Sequence, residues 1–169
     1  TDSYEIDPVH AYDAATQFSH AALEQRVSAI GSYHIGLRGT TTRRGVYDHT
    51  RELGYSMITM RDFMRRGHDD IITELHEKIS GRPVYLSWDM DVFDPSCAPG
   101  VCTPAWGGFL AREGIEIIRD LAGLNIVGAD VNTVSPPHDL AGMTSFLAAS
   151  ITYEILLLIW RFRQIKGLK

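Results

Sequence analysis

Short runs rich in β-branched and aromatic residues alternate along the chain with longer segments whose apolar residues recur every three or four positions. The first pattern is typical of β-strands and the second of amphipathic helices, because the two backbones present their side chains with different periods. The predicted strands are residues 33–38, 55–59, 84–88 and 126–129, and the predicted helices are residues 20–30, 43–53, 68–79, 112–121 and 144–164.

Helices that alternate with apolar strands predict an α/β fold. Strands rich in valine and isoleucine are expected in a mostly parallel sheet covered on both faces, so the predicted architecture is a three-layer α/β/α arrangement. No internal repeat and no linker composition divides the 169 residues, a length that suits one domain or part of a larger one.

Composition and charge narrow the class of protein. Hydrophobic residues make up 44% of the sequence and charged residues 22%, which is typical of a chain with a packed core and not of disordered, collagen-like or coiled-coil proteins. The net charge is -5 and the basic residues are scattered. A nucleic-acid partner is therefore not expected, since such partners favour clustered positive charge.

The sequence predicts neither a membrane span nor secretion. The most apolar run, residues 155–160, is followed by basic residues and is far shorter than the roughly 20 residues that cross a bilayer. Cys97 and Cys102 are too close in sequence to form a disulfide that joins distant parts of the chain, so we expect a reducing compartment, the cytoplasm. The first segment is polar and lacks the apolar core of a signal peptide. The first residue is Thr1 and not Met, which suggests processing or a partial sequence.

Three carboxylates, Asp89, Asp91 and Asp94, follow the third predicted strand. Because side chains alternate along a strand, we expect Asp89 and Asp91 on the same side, about 7 Å apart at a rise of roughly 3.3 Å per residue. Two carboxylates directed to one place repel each other unless a cation lies between them, and their oxygens suit Mg²⁺ or Mn²⁺. The run therefore predicts a divalent metal site; the alternative is a set of solvated residues that cap the following loop.

Further candidates lie elsewhere in the sequence, each with a structural alternative. Asp130 and His138 follow the fourth strand and could face one cleft, although Asp130 could equally be a buried acceptor that holds a loop. His20 opens a predicted helix with Ser19 as its N-cap.

Two tryptophans lie near the carboxylate run, Trp88 directly before Asp89 and Trp106 in the following loop. Either could form the wall of a small pocket or pack in the core. The sequence contains neither H-E-x-x-H nor C-x-x-C, so zinc sites of those types are not expected.

Two sequence blocks resemble those of the ureohydrolase family, which includes arginases and agmatinases. Residues 87–95 (SWDMDVFDP), 98–104 (APGVCTP) and Gly107-Gly108 resemble its signature S-x-D-x-D-x-x-D-P, A-P-G-x-G-T-P and G-G. Residues 128–140 (GADVNTVSPPHDL) resemble the next block, G-x-D-x-x-E-V-x-P-x-x-D. The resemblance implies an arginase-like fold of which residues 1–169 are the C-terminal portion of a single domain, with the N-terminal part missing.

The resemblance also implies roles for individual residues. Thr1-Asp2 is similar to the end of the family motif D-A-H-x-D, so Asp2, Asp89 and Asp91 would be metal ligands for two Mn²⁺ ions, or Ni²⁺ as in some relatives. His20 and Asp91 would be catalytic, with His20 or a protonated carboxylate returning a proton to the leaving nitrogen. The motifs that carry the other three ligands are absent from residues 1–169, so these residues alone are expected to bind the metal pair poorly or not at all.

The implied reaction is the hydrolysis of a C–N bond in a guanidino compound (a linear amidine), with release of urea, as in agmatinases. The two ions would lower the pKa of a shared water, which then attacks the guanidinium carbon. Substrate-binding residues would be Thr133, Trp106 and His138. Thr133 stands where the family usually has Glu, and the loss of a charge-assisted hydrogen bond worth about 1.5–3 kcal/mol makes free guanidine or a guanidino acid the alternative substrate.

Two other functions compete with this one. The spacing of Asp89 and Asp91 also fits the D-x-D opening of haloacid-dehalogenase-type phosphotransferases, although the continuation to Gly108 does not. A non-enzyme alternative is a family fragment that serves as an assembly or regulatory subunit. The expected partners are a small guanidino substrate and further copies of the chain, as a trimer or hexamer, since the family commonly forms such oligomers.

Overall fold

Two parallel strand pairs form the framework of the protein, as described by a computed structural model for residues 2–9 and 11–167. The chain divides into two compact units, Thr1–Phe63 and Met64–Lys169. The elements are α1 (Gln17–Leu23), β1 (Tyr33–Leu37), α2 (Val46–Glu52), β2 (Ser56–Thr59), α3 (Met60–Arg66), α4 (His68–Ile79), β3 (Pro83–Asp89), α5 (Ala111–Asp120), β4 (Asn125–Asn132) and α6 (Met143–Lys166).

The first unit is organised around β1 and β2, which pair in parallel with Ile35 opposite Ile58. Its interior includes polar side chains that bond to one another. The hydroxyls of Ser3 and Thr50 are 2.9 Å apart and fully buried, and Ser19 donates to the carbonyl of Tyr4 at 2.7 Å. These bonds offset the cost of burying hydroxyl groups and connect the start of the chain to α1 and α2.

The second unit is organised around β3 and β4, which pair in parallel with Ser87 opposite Asp130 and Asp89 opposite Asn132. Helix α6 packs against β4 and α5, and α5 also contacts α4. The largest fully buried apolar side chains of this unit are Ile71, Met90, Phe93, Ile118 and Ile151. The predicted α/β class with parallel strands is confirmed.

Helix α5 makes room for one of these core side chains at Gly114. A Cβ atom at position 114 would lie 2.3 Å from Cε1 of Phe93 and 2.5 Å from its Cζ. Phe93 is fully buried and follows directly after the 3-10 helix Met90–Val92, so its ring has little freedom to withdraw. Glycine at 114 therefore lets α5 lie close to the segment that follows β3.

The long segment 94–108, which follows β3, is fixed at both ends by hydrogen bonds. The backbone N–H of Asp94 donates to the carbonyl of Phe109 at 2.8 Å, and the Asp94 carboxylate accepts from the N–H groups of Ser96 at 3.0 Å and Gly107 at 2.8 Å. The side chain and backbone of Ser96, and then Gly107, donate to this carboxylate and lower its pKa to about 2. The segment is thus an ordered loop.

Gly100 connects this loop to the start of α6. Its N–H donates to Oγ1 of Thr144 at 2.8 Å, and its carbonyl accepts from the N–H of Ser135 at 2.8 Å. A Cβ atom on Gly100 would lie 2.6 Å from both Cα and Cβ of Asp139, which explains the glycine at this position of the loop. Substitution here would require the backbone itself to move.

Asp139 begins the segment that leads into α6. Its carboxylate accepts hydrogen bonds from the hydroxyl of Ser145 at 2.7 Å and from the N–H groups of Thr144 at 2.8 Å and Ser145 at 2.9 Å. Of these donors the Ser145 side chain contributes most, and together they lower the pKa of Asp139 to about 2. The carboxylate accepts hydrogen bonds from backbone N–H groups in the first turn of the helix, which have no partner within the helix itself.

Helix α6 is longer and more apolar than the sequence run 155–160 suggested. The stretch Leu140–Lys166 has a mean hydropathy of 1.6 over its best 18-residue window, with 33% of that window buried, and so meets the length and composition of a membrane span. One face of α6 packs against α5 and β4, as in the core helices of globular domains, while Phe146, Tyr153 and Trp160 are exposed. The absence of a membrane partner stays a prediction.

Periodicity located all four strands and most helices. Helix α2 begins at Val46, three residues after its predicted start, and the structure differs further at three places. Helix α1 begins earlier and ends earlier than predicted, because Gln25 adopts a left-handed φ of 55°. Ser19 is not an N-cap, since it lies inside α1 and its hydroxyl bonds to Tyr4. Helix α3 was not predicted; it follows β2 directly, without an intervening turn.

We expect Gly114→Ala to destabilise the complete protein. Alanine normally stabilises a helix interior by about 1 kcal/mol relative to glycine. Overpacking against Phe93 costs about 1–3 kcal/mol, so we expect a net loss measured by urea unfolding. Glu116→Ala, on an exposed side chain of the same helix, is the control and should change the free energy of unfolding by less than about 0.5 kcal/mol. A stabilised Gly114→Ala protein would contradict this packing.

The lowered pKa of Asp139 predicts an acid-sensitive start of α6. A folded-state pKa of about 2, below the ordinary 3.8, means that the ionised carboxylate stabilises the fold above about pH 4 and that this stabilisation is lost as the pH falls towards 2. The unfolding midpoint of Asp139→Asn should therefore fall less steeply than that of the wild type over this window. Ser145→Ala, which removes the main donor, should give an intermediate slope; three equal slopes would contradict the assignment.

Candidate functional site

Asp89 and Asp91 are joined at the carboxyl end of β3. Asp89 is the last residue of β3, and Asp91 lies in the 3-10 helix Met90–Val92. The N–H of Asp91 donates to Oδ1 of Asp89 at 2.9 Å. The predicted strand alternation does not reach Asp91, because the chain leaves the extended conformation directly after Asp89. The two residues are nevertheless neighbours, connected by a hydrogen bond.

Thr103 holds the second carboxylate of this pair. Its hydroxyl donates to Oδ2 of Asp91 at 2.6 Å, from the ordered loop 94–108. In the sequence, Thr103 is one position of the signature block 98–104 and has no predicted role of its own. The spacing offers no signal for this contact, because it depends on how the loop folds back towards the end of β3.

A row of polar side chains runs along β3 and β4. Ser87 donates to Oδ1 of Asp130 at 3.0 Å, and Nδ2 of Asn132 donates to the same oxygen at 2.7 Å. A hydrogen bond with Asp130, followed by burial, raises the pKa of the Tyr85 phenol. Asp130 is therefore an acceptor for side chains of both strands. It is half-buried and its partners lie on strands, so it differs from the buried acceptor that holds a loop, the structural alternative for this residue.

Thr133 follows β4 with an uncommon backbone conformation. Its φ is 68°, in the left-handed region that β-branched residues rarely adopt. Its hydroxyl donates to Oδ1 of Asn132 at 2.6 Å. Such a conformation costs of order 1–3 kcal/mol and persists where neighbouring contacts impose it, often at binding sites. The predicted substrate role of Thr133 stays a prediction, and its unusual geometry is consistent with it.

The other two predicted substrate-binding residues of the second unit, His138 and Trp106, are exposed. His138 is exposed, with its Nδ1 2.7 Å from the Ser135 hydroxyl. Trp106 is 79% exposed on the loop, whereas Trp88 is 7% exposed and packs against Phe93 with ring centroids 5.8 Å apart. Trp88 is thus a core residue and not part of a pocket wall. Substrate roles for His138 and Trp106 stay predictions.

Asp2 and His20 belong to the first unit, where both contact α1 or form part of it. Oδ2 of Asp2 accepts from Nε2 of Gln17 at 3.1 Å. The ring of His20 stacks on Tyr12 at 4.7 Å between centroids, its Nε2 bonds to the carbonyl of Ala11, and its Nδ1 lies 3.6 Å from Glu24. His20 is therefore held in a fixed orientation, and its role in proton transfer stays a prediction.

The donor chemistry of these residues fits a hard divalent cation, although the described residues do not supply a complete site. Carboxylate oxygens such as those of Asp89 and Asp91 are the ligands that Mn²⁺ and Mg²⁺ prefer. Within residues 2–9 and 11–167, no group of three or more His, Cys, Asp or Glu side chains is placed to hold an ion. The predicted Asp2, Asp89 and Asp91 thus fit such an ion by type, and their role as metal ligands stays a prediction.

Comparison with known proteins adds independent information. The human mitochondrial guanidino acid hydrolase is 38% identical over 122 residues, which are 72% of this chain and 35% of that protein. The guanidinopropionase of Pseudomonas aeruginosa is 35% identical over 148 residues, which are 88% of this chain and 46% of that protein. The chain thus spans between about a third and a half of the length of these curated relatives.

A solved structure agrees with the sequence comparison. The proclavaminate amidinohydrolase from Streptomyces clavuligerus superposes with a TM-score of 0.88 at 36% identity, over 96% of this chain and 53% of that one. The sequence model of the Arginase family matches residues 1–158, a range that includes the carboxylates at the end of β3, the ordered loop and the polar row of β4. The chain belongs to the arginase family.

Proposed function

We propose that the protein to which this chain belongs hydrolyses a C–N bond of a guanidino compound and releases urea. The observation that carries the proposal is the pair of carboxylates, Asp89 and Asp91, joined by a hydrogen bond at the carboxyl end of β3 in a chain of the arginase family. Ligands of α/β proteins bind at this end of parallel strands. A phosphotransferase has no comparable support, because the family match extends through the loop that such enzymes lack.

Two Mn²⁺ ions, or Ni²⁺ ions, are proposed as the cofactors. Asp89, Asp91 and Asp2 would hold them, together with ligands from outside this chain. Bound ions of this kind supply positive charge and Lewis acidity, which lower the pKa of water and stabilise negative charge. The chain's own contribution is to orient its carboxylates, and the hydroxyl of Thr103 does so for Asp91 by donating to Oδ2.

Proton transfer to the leaving amine is proposed for His20, with Asp91 as the alternative donor. The stack on Tyr12 and the bond to the Ala11 carbonyl fix the His20 ring in one tautomer, with the proton on Nε2. Nδ1 lies 3.6 Å from the carboxylate of Glu24. A histidine held in this way keeps its N–H on Nε2 and leaves Nδ1 as the ring atom that would carry the transferred proton.

A guanidino acid is proposed as the substrate class, ahead of agmatine and free guanidine. The support is the names of two relatives, a guanidino acid hydrolase and a guanidinopropionase. Thr133, Trp106 and His138 are proposed to contact the substrate from the loops that follow β3 and β4. A cytoplasmic location is proposed from the positions of the two cysteines, and a homo-oligomeric assembly of the complete protein, trimer or hexamer, from the family resemblance.

Urea release by the complete protein tests the proposal. The enzyme would be reconstituted with Mn²⁺ and, separately, with Ni²⁺, and assayed against 3-guanidinopropionate, 4-guanidinobutyrate, agmatine, arginine and guanidine. Urea from a guanidino acid above all others is the expected result. Urea only from agmatine would contradict the proposed substrate class, and no urea from any compound with metal bound would contradict the function.

Asp91→Asn should abolish most metal binding and activity. Removing a residue that merely supports a ligand costs about 10–100-fold in metal proteins, so the loss of a ligand should lower the affinity for Mn²⁺ and the rate of urea release by at least about 100-fold. Bound metal is measured by elemental analysis and urea by a colorimetric assay. Asp69→Asn, on an exposed residue in the first turn of α4, is the matched control and should retain both.

His20→Asn should lower kcat more than it changes KM. Loss of a general acid costs about 10²–10⁴-fold in rate, and asparagine still offers a hydrogen bond towards Ala11. His76→Asn on α4 is the control and should keep the wild-type kcat and KM. An unchanged kcat in His20→Asn would assign proton transfer to another group.

A further inference from the structure

Asn132 and Thr133 together define which kind of hydrogen bond is available at the carboxyl end of β4. Because Asp89 is paired with Asn132 and Ser87 with Asp130, these four residues share one face of the strand pair. The candidate metal ligand Asp89 and the amide of Asn132 are therefore on the same side. Thr133 follows Asn132 directly, at the position where β4 ends, and its φ of 68° takes it out of the strand alternation.

The orientation of the Asn132 amide is determined by its neighbours. Its Nδ2 lies 2.7 Å from Oδ1 of Asp130 and 3.2 Å from Oγ of Ser87. A carboxylate can only accept hydrogen bonds, so the NH₂ group of the amide must face Asp130. The amide oxygen consequently points the other way, towards Thr133.

Because the amide oxygen of Asn132 faces Thr133, the single proton of the Thr133 hydroxyl is used in a hydrogen bond to that oxygen. Oγ1 of Thr133 is 2.6 Å from Oδ1 of Asn132, and an amide oxygen has no proton to give. The hydroxyl therefore donates to Asn132, and its oxygen keeps lone pairs that can accept another hydrogen bond. Thr133 presents an acceptor and not a donor to any ligand at this site.

We infer that Asn132 is a positioning residue that selects a guanidinium group over a carbonyl group at Thr133. A guanidinium carries only N–H donors and matches an acceptor in every orientation. A ureido group of the same shape has a carbonyl oxygen in place of one of these donors, and an acceptor at Thr133 disfavours the orientations that bring this oxygen there. Asp130 and Ser87 support this selection by holding the amide in one orientation. The inference rests on the proposed function, and it names the chemical basis on which the site would distinguish substrate from a urea-like analogue.

The test compares two molecules of one shape, 3-guanidinopropionate as substrate and 3-ureidopropionate as inhibitor, in the Mn²⁺-loaded complete enzyme. Asn132→Leu releases the Thr133 proton, so the hydroxyl can then donate to the ureido carbonyl. The measured quantity is the inhibition constant for the ureido compound divided by the Michaelis constant for the guanidino compound. We expect this ratio to fall by about 3- to 10-fold, the value of one neutral hydrogen bond. A purely structural role of Asn132 would weaken both molecules equally and leave the ratio unchanged.

Two further variants keep the test decisive. Thr133→Val removes the hydroxyl altogether and should lower the ratio even if Asn132→Leu folds poorly. Asn125→Leu, at the opposite end of β4, is the control and should leave the ratio within about twofold of the wild type. An unchanged ratio in Thr133→Val overturns the inference. Failure of the proposed function is separately visible, since the wild-type enzyme would then release no urea from any guanidino compound, and the inference would fall with it.

Discussion

The approach of Gly100 to the start of the last helix is the constraint on which the candidate site depends. Its N–H and carbonyl bond to Thr144 and Ser135, so one residue joins the loop after β3, the loop after β4 and α6. The same loop delivers Thr103 to Asp91. A side chain at position 100 would separate these segments and remove the partner of a proposed metal ligand. The chemistry at the end of β3 thus depends on a backbone contact that only glycine permits.

Much of the fold could be predicted from the sequence, because strand and helix periods are local properties. The observed α4 has the predicted bounds, and the four strands lie where apolar runs place them. The errors occur where single residues interrupt a helical pattern. Gly45 adopts a φ of 77° and delays the start of α2, and Gln25 ends α1 through a left-handed φ that no periodicity reveals.

The candidate site was predictable only as a set of residue types. The spacing of Asp89 and Asp91 indicated paired carboxylates, and the family resemblance gave them a purpose. Their mutual hydrogen bond depends on a turn, and the contact from Thr103 depends on the fold of a loop. The direction of the Asn132 amide depends on the register of two strands. Loop fold and strand register are fixed by contacts between distant segments. Such contacts leave no mark on a single sequence, since each residue alone is compatible with many partners.

Trp88 gives this region an optical signal of its own. The indole lies in the core against Phe93, directly before Asp89, and among the described residues its Nε1 has no hydrogen-bond partner. The other two tryptophans, Trp106 and Trp160, are exposed. An indole in an apolar environment emits at shorter wavelength and escapes aqueous quenchers such as iodide. The intrinsic fluorescence of the protein therefore separates into a quenchable part from the surface and a shielded part that reports on the end of β3.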